Sequence, residues 1–336
     1  TNPMAYFFTG DDTTSSRSGS SGKSGRFGYR IGFISALVVF LVIAAPVYAI
    51  RLTYVDHLFD LTHRFNAPSD VAVSTTDRIY VVDGVNNQIK IFNYSGVFIS
   101  SFGRKGASSG EFNQPLGIDL DASGRVYVAD AGNHRVQIFG PEGDFIAQIP
   151  LTGTGRHAAD PTDVVVNETR NTCYIVDNDN HRILVHRLSD FNLIGVYGKP
   201  GTDKLEFKYP FLITLDNSNR IYVVDVTNTR VQVLKPDGKY AGSIGDWGVE
   251  KGEFYRPKGV AVDPAGKVYV SDSYMGVIQV FNTNWEFYSA VTEPTNRDVK
   301  KFRTPVGLFI DHNRRLYVVE MLANKVSVYR IRGYSN

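Results

Sequence analysis

The chain has 336 residues, with 36 Lys and Arg, 34 Asp and Glu, and 43% hydrophobic residues. This length fits one large domain or two small ones, and the nearly balanced charge argues against a histone-like or polyanion-coating protein. A single cysteine, Cys173, excludes an intrachain disulfide framework and a thiolate metal cluster, while the many Tyr, Phe and Gly residues favour strands and turns over helices.

The first 51 residues differ in composition from the rest. Residues 1–25 are rich in Ser, Thr and Gly and predict a low-complexity tail. Residues 26–51 predict a transmembrane signal-anchor helix, because the 20 positions Ile31–Ile50 carry no charge and a helix of that length spans about 30 Å. A cleaved signal peptide is the alternative, since Ala49 ends a stretch that resembles a cleavage site. We favour the retained anchor because 30 residues precede the apolar run.

The charges around this run predict its orientation. Arg26 and Arg30 precede it, whereas Asp56 and Asp60 follow it. The positive-inside rule therefore predicts a single-pass protein of the cytoplasmic (inner) membrane, with its N-terminus in the cytoplasm and residues 52–336 extracytoplasmic or periplasmic. Without the five basic and two acidic residues of the first 51, 31 basic and 32 acidic groups remain. This domain lacks the basic excess that nucleic-acid binding requires, so no nucleic-acid partner is predicted.

The remainder of the chain is a repeat. Six prolines, at intervals of 47, 46, 49, 47 and 48 residues, each precede a short apolar run: Pro68, Pro115, Pro161, Pro210, Pro257 and Pro305. A second run with a tyrosine follows about eleven residues later, then a third, and in most units a fourth. Turn sequences such as Asp121–Gly124 separate the runs, so each unit predicts four short antiparallel strands. Six such units predict a six-bladed β-propeller.

The two ends of this region predict how the ring closes. The sixth unit stops after its third strand, and residues 52–61 supply an apolar run before the first unit. We therefore expect residues 52–61 to form a latch strand that completes the last blade of a domain at 52–331, followed by a tail at 332–336. The predicted fold class is all-β, a six-bladed propeller preceded by one N-terminal transmembrane α-helix.

Three segments of the second unit carry a family resemblance. Pro115–Asp121, Gly124–Asp130 and Asn133–Phe139 resemble NHL repeats, named for an Asn-His-Leu-like segment, and the pattern recurs in register over residues 65–331. The resemblance implies a six-bladed propeller and leaves function open, since relatives bind proteins, bind RNA, sense ligands or catalyse. One enzymatic relative, the peptidyl-hydroxyglycine lyase, uses a zinc held by several His. No third His of this chain is placed to complete such a set, so a lyase of that kind and a cofactor are not predicted.

Two sets of acidic residues are candidate ligands. Asp70, Asp119 and Asp163 fall on first strands, which line the channel of a propeller, and are weak candidates for a metal such as Ca²⁺. Asp119 stands four residues after its proline and the other two stand two after, so different depths are expected. A second set ends the second strands: Asp83, Asp130, Asp177, Asp225, Asp272 and Glu320. A metal or proton-handling collar is one interpretation, but recurrence in every unit favours carboxylates that accept backbone N–H groups in turns.

The turns after the second strands predict a binding surface. Those of units 5 and 6 are apolar where others are polar, and a Trp stands in the linker that leads into unit 5. The candidate partner-binding residues are Tyr274, Met275, Met321, Leu322, Trp247 and Val85. Exposed aromatic and Met residues are enriched at docking surfaces. The alternative is that these side chains fold inward and plug the channel.

The linker that leads into unit 6 loses its glycines and gains four basic residues: Arg297, Lys300, Lys301 and Arg303. These residues predict a charged docking loop for an acidic partner or anionic headgroups, and a simply solvated loop is the alternative.

Together these features predict a non-catalytic, protein-binding scaffold subunit of a membrane or cell-envelope complex, without a cofactor. Its partners would be other membrane or envelope proteins. A ligand-sensing ectodomain is the second interpretation, and a metal-dependent lyase or hydrolase acting at the channel mouth is the third.

Overall fold

The computed structural model describes residues 52–151 and 157–333. The predicted tail at 1–25, the predicted anchor at 26–51 with its span Ile31–Ile50, and the last three residues lie outside the described residues. Within the two described ranges, none of the helical segments has the length and apolar character needed to cross a membrane.

The described chain is built almost entirely of strands, which follow the repeat. We number them β1 to β26 and group them by unit. β1 is Thr53–Leu61. Unit 1 holds β2 (Pro68–Val73), β3 (Ile79–Asp83), β4 (Gln88–Phe92) and β5 (Phe98–Phe102). Unit 2 holds β6 (Pro115–Leu120), β7 (Val126–Asp130), β8 (Arg135–Phe139) and β9 (Phe145–Pro150). Unit 3 holds β10 (Pro161–Asn167), β11 (Thr172–Asp177), β12 (Arg182–Arg187) and β13 (Leu193–Tyr197).

The later units repeat this order. A short ribbon, β14 (Lys199–Pro200) and β15 (Glu206–Phe207), precedes unit 4, which holds β16 (Pro210–Leu215), β17 (Ile221–Asp225), β18 (Arg230–Leu234) and β19 (Tyr240–Ile244). Unit 5 holds β20 (Pro257–Val262), β21 (Val268–Asp272), β22 (Val277–Phe281) and β23 (Phe287–Thr292). Unit 6 holds β24 (Pro305–Ile310), β25 (Arg315–Glu320) and β26 (Lys325–Ile331). Single 3₁₀ turns lie at Ala131–Asn133, Glu168–Arg170 and Met321–Ala323.

The strands form an all-β, propeller-like arrangement. Units 1 to 4 are four separate four-stranded sheets, in each of which successive strands are antiparallel neighbours. Units 5 and 6 share one eight-stranded sheet of order β20-β21-β22-β23-β1-β26-β25-β24. In it β1 pairs antiparallel with β26 and, through Thr53 and Val291, parallel with β23. The first described strand therefore joins the last strand of the repeat.

Burial falls from the second strand to the fourth. All five residues of β3 are buried, as expected for a strand covered on both faces, and its sequence IYVVD is nearly continuous in apolar residues. The fourth strand β5 alternates between exposed and half-buried residues. The first three strands of a unit therefore form the packed interior, and the fourth strand lies at the outer edge.

The core consists of buried clusters that join neighbouring units. Tyr80 of unit 1 packs with Val128 of unit 2, and corresponding clusters join units 2 and 3, 3 and 4, 4 and 5, and 5 and 6. A further cluster contains Tyr317 of unit 6 and Val81 of unit 1. Because no unit covers its own faces, burial of apolar surface holds each unit to its two neighbours.

Candidate functional site

One end of the strands gathers the residues that the sequence singled out. The linker before each unit and the turn between its second and third strands meet there, because Pro68 at the start of β2 pairs with Asp83 at the end of β3, and the same pairing recurs in the other units. We call this end the upper face.

The acidic residues that end the second strands tie the linkers to the sheets. In each unit a carboxylate oxygen accepts a hydrogen bond from a linker N–H, as in Asn66 to Asp83 at 2.7 Å and Asn113 to Asp130 at 2.8 Å. The same bond recurs for Asp177, Asp225, Asp272 and Glu320. The geometry matches turn carboxylates that accept backbone N–H groups.

Five of these carboxylates also pair with a buried or partly buried cation on the third strand, including Glu320, which lies 3.4 Å from Lys325 Nζ. Arg135, Arg182 and Arg230 each place Nε 2.8–2.9 Å from their own aspartate. In unit 1 the partner is Lys90, whose Nζ lies 2.6 Å from Asp83 Oδ2. These pairs use the carboxylates within the fold.

The three channel aspartates link each unit to the next. Asp70 accepts a hydrogen bond from the N–H of Ile118 at 3.0 Å, and Asp119 accepts one from Val166 at 2.7 Å. Asp163 accepts one from Ile213 at 2.9 Å. Each bond runs from the first strand of one unit to the first strand of the following unit. The three predicted metal candidates therefore act as clamps between first strands.

Burial shifts the titration of these clamps. It raises the pKa of Asp70 to about 8 and that of Asp119 to about 7, against the opposing effect of the backbone N–H groups that each accepts. The pKa of Asp163 is raised as well, first by burial and then by the negative charge of Asp70. Within the described ranges, no three His, Cys, Asp or Glu side chains are grouped to hold a metal ion.

A stacked pair of tyrosines is exposed on the upper face. The rings of Tyr255 and Tyr274 lie 4.2 Å apart at 29°, and 65% of Tyr274 is exposed to solvent. The sequence predicted Tyr274 and missed Tyr255. The sequence contained a signal for Tyr255. In the other five linkers the residue whose N–H donates to the carboxylate is polar or charged, namely Asn66, Asn113, Asp160, Lys208 and Arg303. Only the linker into unit 5 places an aromatic residue there.

The turn that bears Tyr274 is held to the basic linker. The N–H of Phe302 donates to the carbonyl oxygen of Gly276 at 2.9 Å, and Lys301 Nζ donates to that of Met275 at 3.1 Å. The predicted partner-binding turn of unit 5 and the predicted charged docking loop are therefore adjacent. We call Tyr255, Tyr274, Met275, Lys301 and Arg303 the tyrosine–lysine surface.

The other predicted partner-binding residues are placed differently. Trp247 is 71% exposed, Leu322 is 49% exposed and Val85 is 40% exposed. Met321 is half-buried and packs against the cluster that joins units 6 and 1. Of the two interpretations, outward display fits Tyr274, Trp247 and Leu322, and inward packing fits Met321.

The remaining basic linker residues have distinct roles. Arg297 is exposed and adopts a left-handed backbone conformation with φ of 61°. Lys300 Nζ pairs with Glu293 at 2.7 Å and lies 5.4 Å from the ring of Tyr329, so it stabilises the linker itself. Lys301 and Arg303 are exposed and contribute the cationic part of the surface.

The comparisons with known proteins agree with this geometry. The NHL repeat model matches residues 65–92, 112–139 and 254–281. Human NHL repeat-containing protein 3 is 34% identical over 61 residues, a match that spans 18% of this chain and 18% of that protein's length. Units 1, 2 and 5 of the propeller-like fold therefore carry NHL repeats.

Solved structures of similar fold include enzymes. A streptogramin B lyase is 14% identical, with a TM-score of 0.60 over 83% of this chain and 98% of that one. A gluconolactonase from Xanthomonas campestris is 13% identical, with a TM-score of 0.60 over 81% and 88%. A Bacteroides thetaiotaomicron protein of unknown function is 16% identical, with a TM-score of 0.62 over 84% and 75%. At these identities the likeness establishes the fold alone.

Proposed function

We propose that this chain is a non-catalytic, protein-binding scaffold in which a six-bladed propeller presents the tyrosine–lysine surface to a partner. The observation that carries the proposal is the exposed stack of Tyr255 on Tyr274, joined to Lys301 by the turn at Met275. Tyrosine and arginine are enriched among the residues that contribute most to binding energy at protein interfaces, because they bury large side chains and still form polar contacts.

The pairing of β1 supports a count of six blades. If β1 is counted with β24, β25 and β26, the eight-stranded sheet divides into two groups of four, and every unit then has four strands. The six clusters between neighbouring units, including the one between units 6 and 1, support a closed ring. A closed ring leaves no unpaired sheet face and gives the upper face a rigid base.

The chemistry of the surface indicates the kind of partner. Two stacked rings offer an apolar platform, and Lys301 and Arg303 beside them attract negative charge. A partner segment with an apolar or aromatic residue next to Asp or Glu fits this arrangement. In this proposal the run Ile31–Ile50 holds the propeller at the cytoplasmic membrane, on its outer side, beside the other subunits of a membrane or envelope complex.

The test is isolation of the tagged chain from gently solubilised native membranes, with mass spectrometry of the accompanying proteins. We expect a stoichiometric set of companions that is lost when Tyr255 and Tyr274 are both changed to Ala. The matched control is Ile146→Ala, which removes an exposed apolar side chain (51% exposed) from the outer strand β9. A lone wild-type chain, or companions that persist in the tyrosine variant, would contradict the proposal.

The predicted location has its own test. Protease added to intact cells with a permeable outer envelope should digest residues 52–336 and spare the N-terminal tail. Protection of the propeller would place it in the cytoplasm and reverse the proposed orientation.

A second candidate function is acid–base catalysis, as a lyase or hydrolase at the channel. The observation that favours it is the set of buried carboxylates whose protons titrate near neutrality, with a pKa of about 8 at Asp70 and about 7 at Asp119. Similar folds occur in a streptogramin lyase and a gluconolactonase. Turnover of a streptogramin or of gluconolactone that disappears in Asp163→Asn would support this function. The scaffold proposal expects no turnover.

A further inference from the structure

A cavity opens on the outside of the ring between units 2 and 3. Its volume is about 460 Å³, and it is lined by strand β9, by one side of β12 and by the turn that follows β12. Cavities of roughly 300–1,000 Å³ are the usual size of small-molecule sites. The cavity lies away from the tyrosine–lysine surface, in the outer half of the unit 2–unit 3 contact.

An alanine opens this cavity. Each linker contains one residue whose N–H donates to the carboxylate at the end of the second strand. In five linkers the residue directly before it is a buried phenylalanine that fills the space between two units, namely Phe65, Phe112, Phe207, Phe254 and Phe302. In the linker into unit 3 that residue is Ala159, which is buried and lines the cavity. The missing ring leaves room that the fold fills everywhere else in the repeat.

A histidine supplies the polar group. The ninth residue after the acidic residue that ends the second strand is buried against the preceding unit in all six units. In the five units other than unit 3 this residue is apolar or aromatic, namely Phe92, Phe139, Leu234, Phe281 and Tyr329. In unit 3 it is His186, which is 5% exposed. In four units this residue's ring lies 5.5–5.9 Å from the linker phenylalanine. Ala159 and His186 therefore stand where four other units have two aromatic rings packed at a tilt or edge to face.

The hydrogen bonds of His186 define its tautomer. Nδ1 lies 2.8 Å from the carbonyl oxygen of Phe191, which only accepts, so Nδ1 carries the proton. Nε2 then presents a lone pair. It is buried and has no hydrogen-bond partner among residues 52–151 and 157–333. Burying such an acceptor without a donor is unfavourable, and a buried polar atom without a partner calls for an explanation.

The side of β12 that faces the cavity is otherwise apolar or already paired. Alternation along the strand places Arg182, Leu184 and His186 on the side toward unit 2. Arg182 Nε donates to Asp177 at 2.8 Å, and Leu184 belongs to the apolar cluster. At the rim, Asp190 pairs with Arg187 at 2.7 Å. The charged groups of the cavity have partners, so the site favours a neutral ligand.

We propose that this cavity is a binding site for an uncharged aromatic small molecule that carries one O–H or N–H donor. The ring occupies the space that the linker phenylalanine fills in the other units. The donor is directed to Nε2 of His186. Leu184 and Phe191 provide the apolar walls.

The test compares indole with 1-methylindole, which has a similar ring and no N–H donor, on the 336-residue chain. Binding is followed by the imidazole ¹⁵N resonances of His186 and by the shift in melting temperature. We expect saturable binding of indole, about tenfold weaker binding of 1-methylindole, and a change at the Nε2 resonance with indole only.

Two variants restore the residues of the other units and act as controls. Ala159→Phe fills the cavity and should abolish indole binding, and Ala159→Leu gives a milder filling if the larger ring prevents folding. His186→Phe removes the acceptor and should leave indole and 1-methylindole bound equally weakly. Failure of indole to bind the wild-type chain saturably would overturn the proposal, as would unchanged binding in a folded Ala159→Phe or Ala159→Leu variant.

Discussion

The carboxylate of Asp163 accepts the N–H of Ile213 at 2.9 Å, across 50 residues of sequence and between the first strands of units 3 and 4. Its second oxygen accepts the N–H of Val164 at 2.8 Å. A single side chain thus joins the first strands of two neighbouring units.

Substitution of Gly117 should be poorly tolerated. A methyl group at this position would overlap the Asp163 carboxylate and lie 2.6 Å from the Asp163 Cα. We expect Gly117→Ala to lower the free energy of unfolding by about 2–3 kcal/mol through overpacking. Gly140→Ala is the matched control, because its new methyl group meets nothing closer than 3.8 Å. Denaturant unfolding of both variants measures the difference, and equal stabilities would refute the close approach at Gly117.

Stability should depend on pH through Asp70. Its pKa is about 8 in the folded chain and has an ordinary value near 3.8 when the chain is unfolded. Between these values the folded state holds the extra proton, so the free energy of unfolding falls as the pH rises from about 4 to about 8. Asp70→Asn should make this fall shallower, although Asp119 and Asp163 retain part of it. An unchanged pH slope in the variant would show that Asp70 ionises normally.

The buried pair of Lys90 and Asp83 should be sensitive to the loss of its cation. Lys90 Nζ lies 2.6 Å from Asp83 Oδ2 and donates to the carbonyl oxygen of Arg64 at 2.9 Å. Lys90→Ala leaves a buried carboxylate without its cation and should destabilise the chain by about 3 kcal/mol.

The repeat itself offers the control for Lys90. Gln137 stands at the same place in unit 2 and donates to Asp130 at 3.0 Å. Lys90→Gln also removes the cation, which Arg135 supplies beside Asp130 in unit 2, but its amide can still donate to Asp83, so we expect it to cost less than Lys90→Ala. Thermal unfolding compares the two variants, and equal losses would mean that the hydrogen bond contributes nothing without the charge.

The contact between β1 and β26 should dominate the stability of the ring closure. Leu61 is buried, pairs with Val326 and packs in the cluster that joins units 6 and 1. Leu61→Ala should lower the free energy of unfolding by about 2–5 kcal/mol. Asp56→Asn, which weakens an exposed ion pair with Arg332, should cost less than about 1 kcal/mol. A small effect at Leu61 would show that β1 is dispensable.

The thiol of Cys173 should be inert until the chain unfolds. It is fully buried, and burial raises its pKa to about 12, so the thiolate that reacts is scarce. We expect Ellman's reagent to label one thiol per chain in denaturant and almost none in the native protein at pH 8. Labelling of the native chain at the rate of a free thiol would place Cys173 at the surface.

Sequence reasoning found features that recur in every unit. The prolines, tyrosines and acidic residues stand at fixed offsets, and the strands and linker bonds follow those offsets. It missed contacts between segments that are separated in sequence, since Tyr255 meets Tyr274 only after the linker into unit 5 folds against the turn between β21 and β22. The Asp70 clamp likewise needs the spacing of first strands. The sequence contains Ala159 where the other linkers have Phe. This equivalence can be recognised only from the hydrogen bond between linker N–H and carboxylate, which aligns the six linkers.

The pairing of β1 with β26 also determines when the first strand can find its partner during synthesis on the ribosome. Asp60 of β1 and Lys325 of β26 form a pair across 265 positions, so the first strand of the ring emerges long before its partner is synthesised. At roughly 5–20 residues per second this delay is about 13–53 s. Throughout that time β1 offers unpaired backbone groups to other nascent chains. Protection of the growing chain is therefore needed at its oldest strand as well as at its newest.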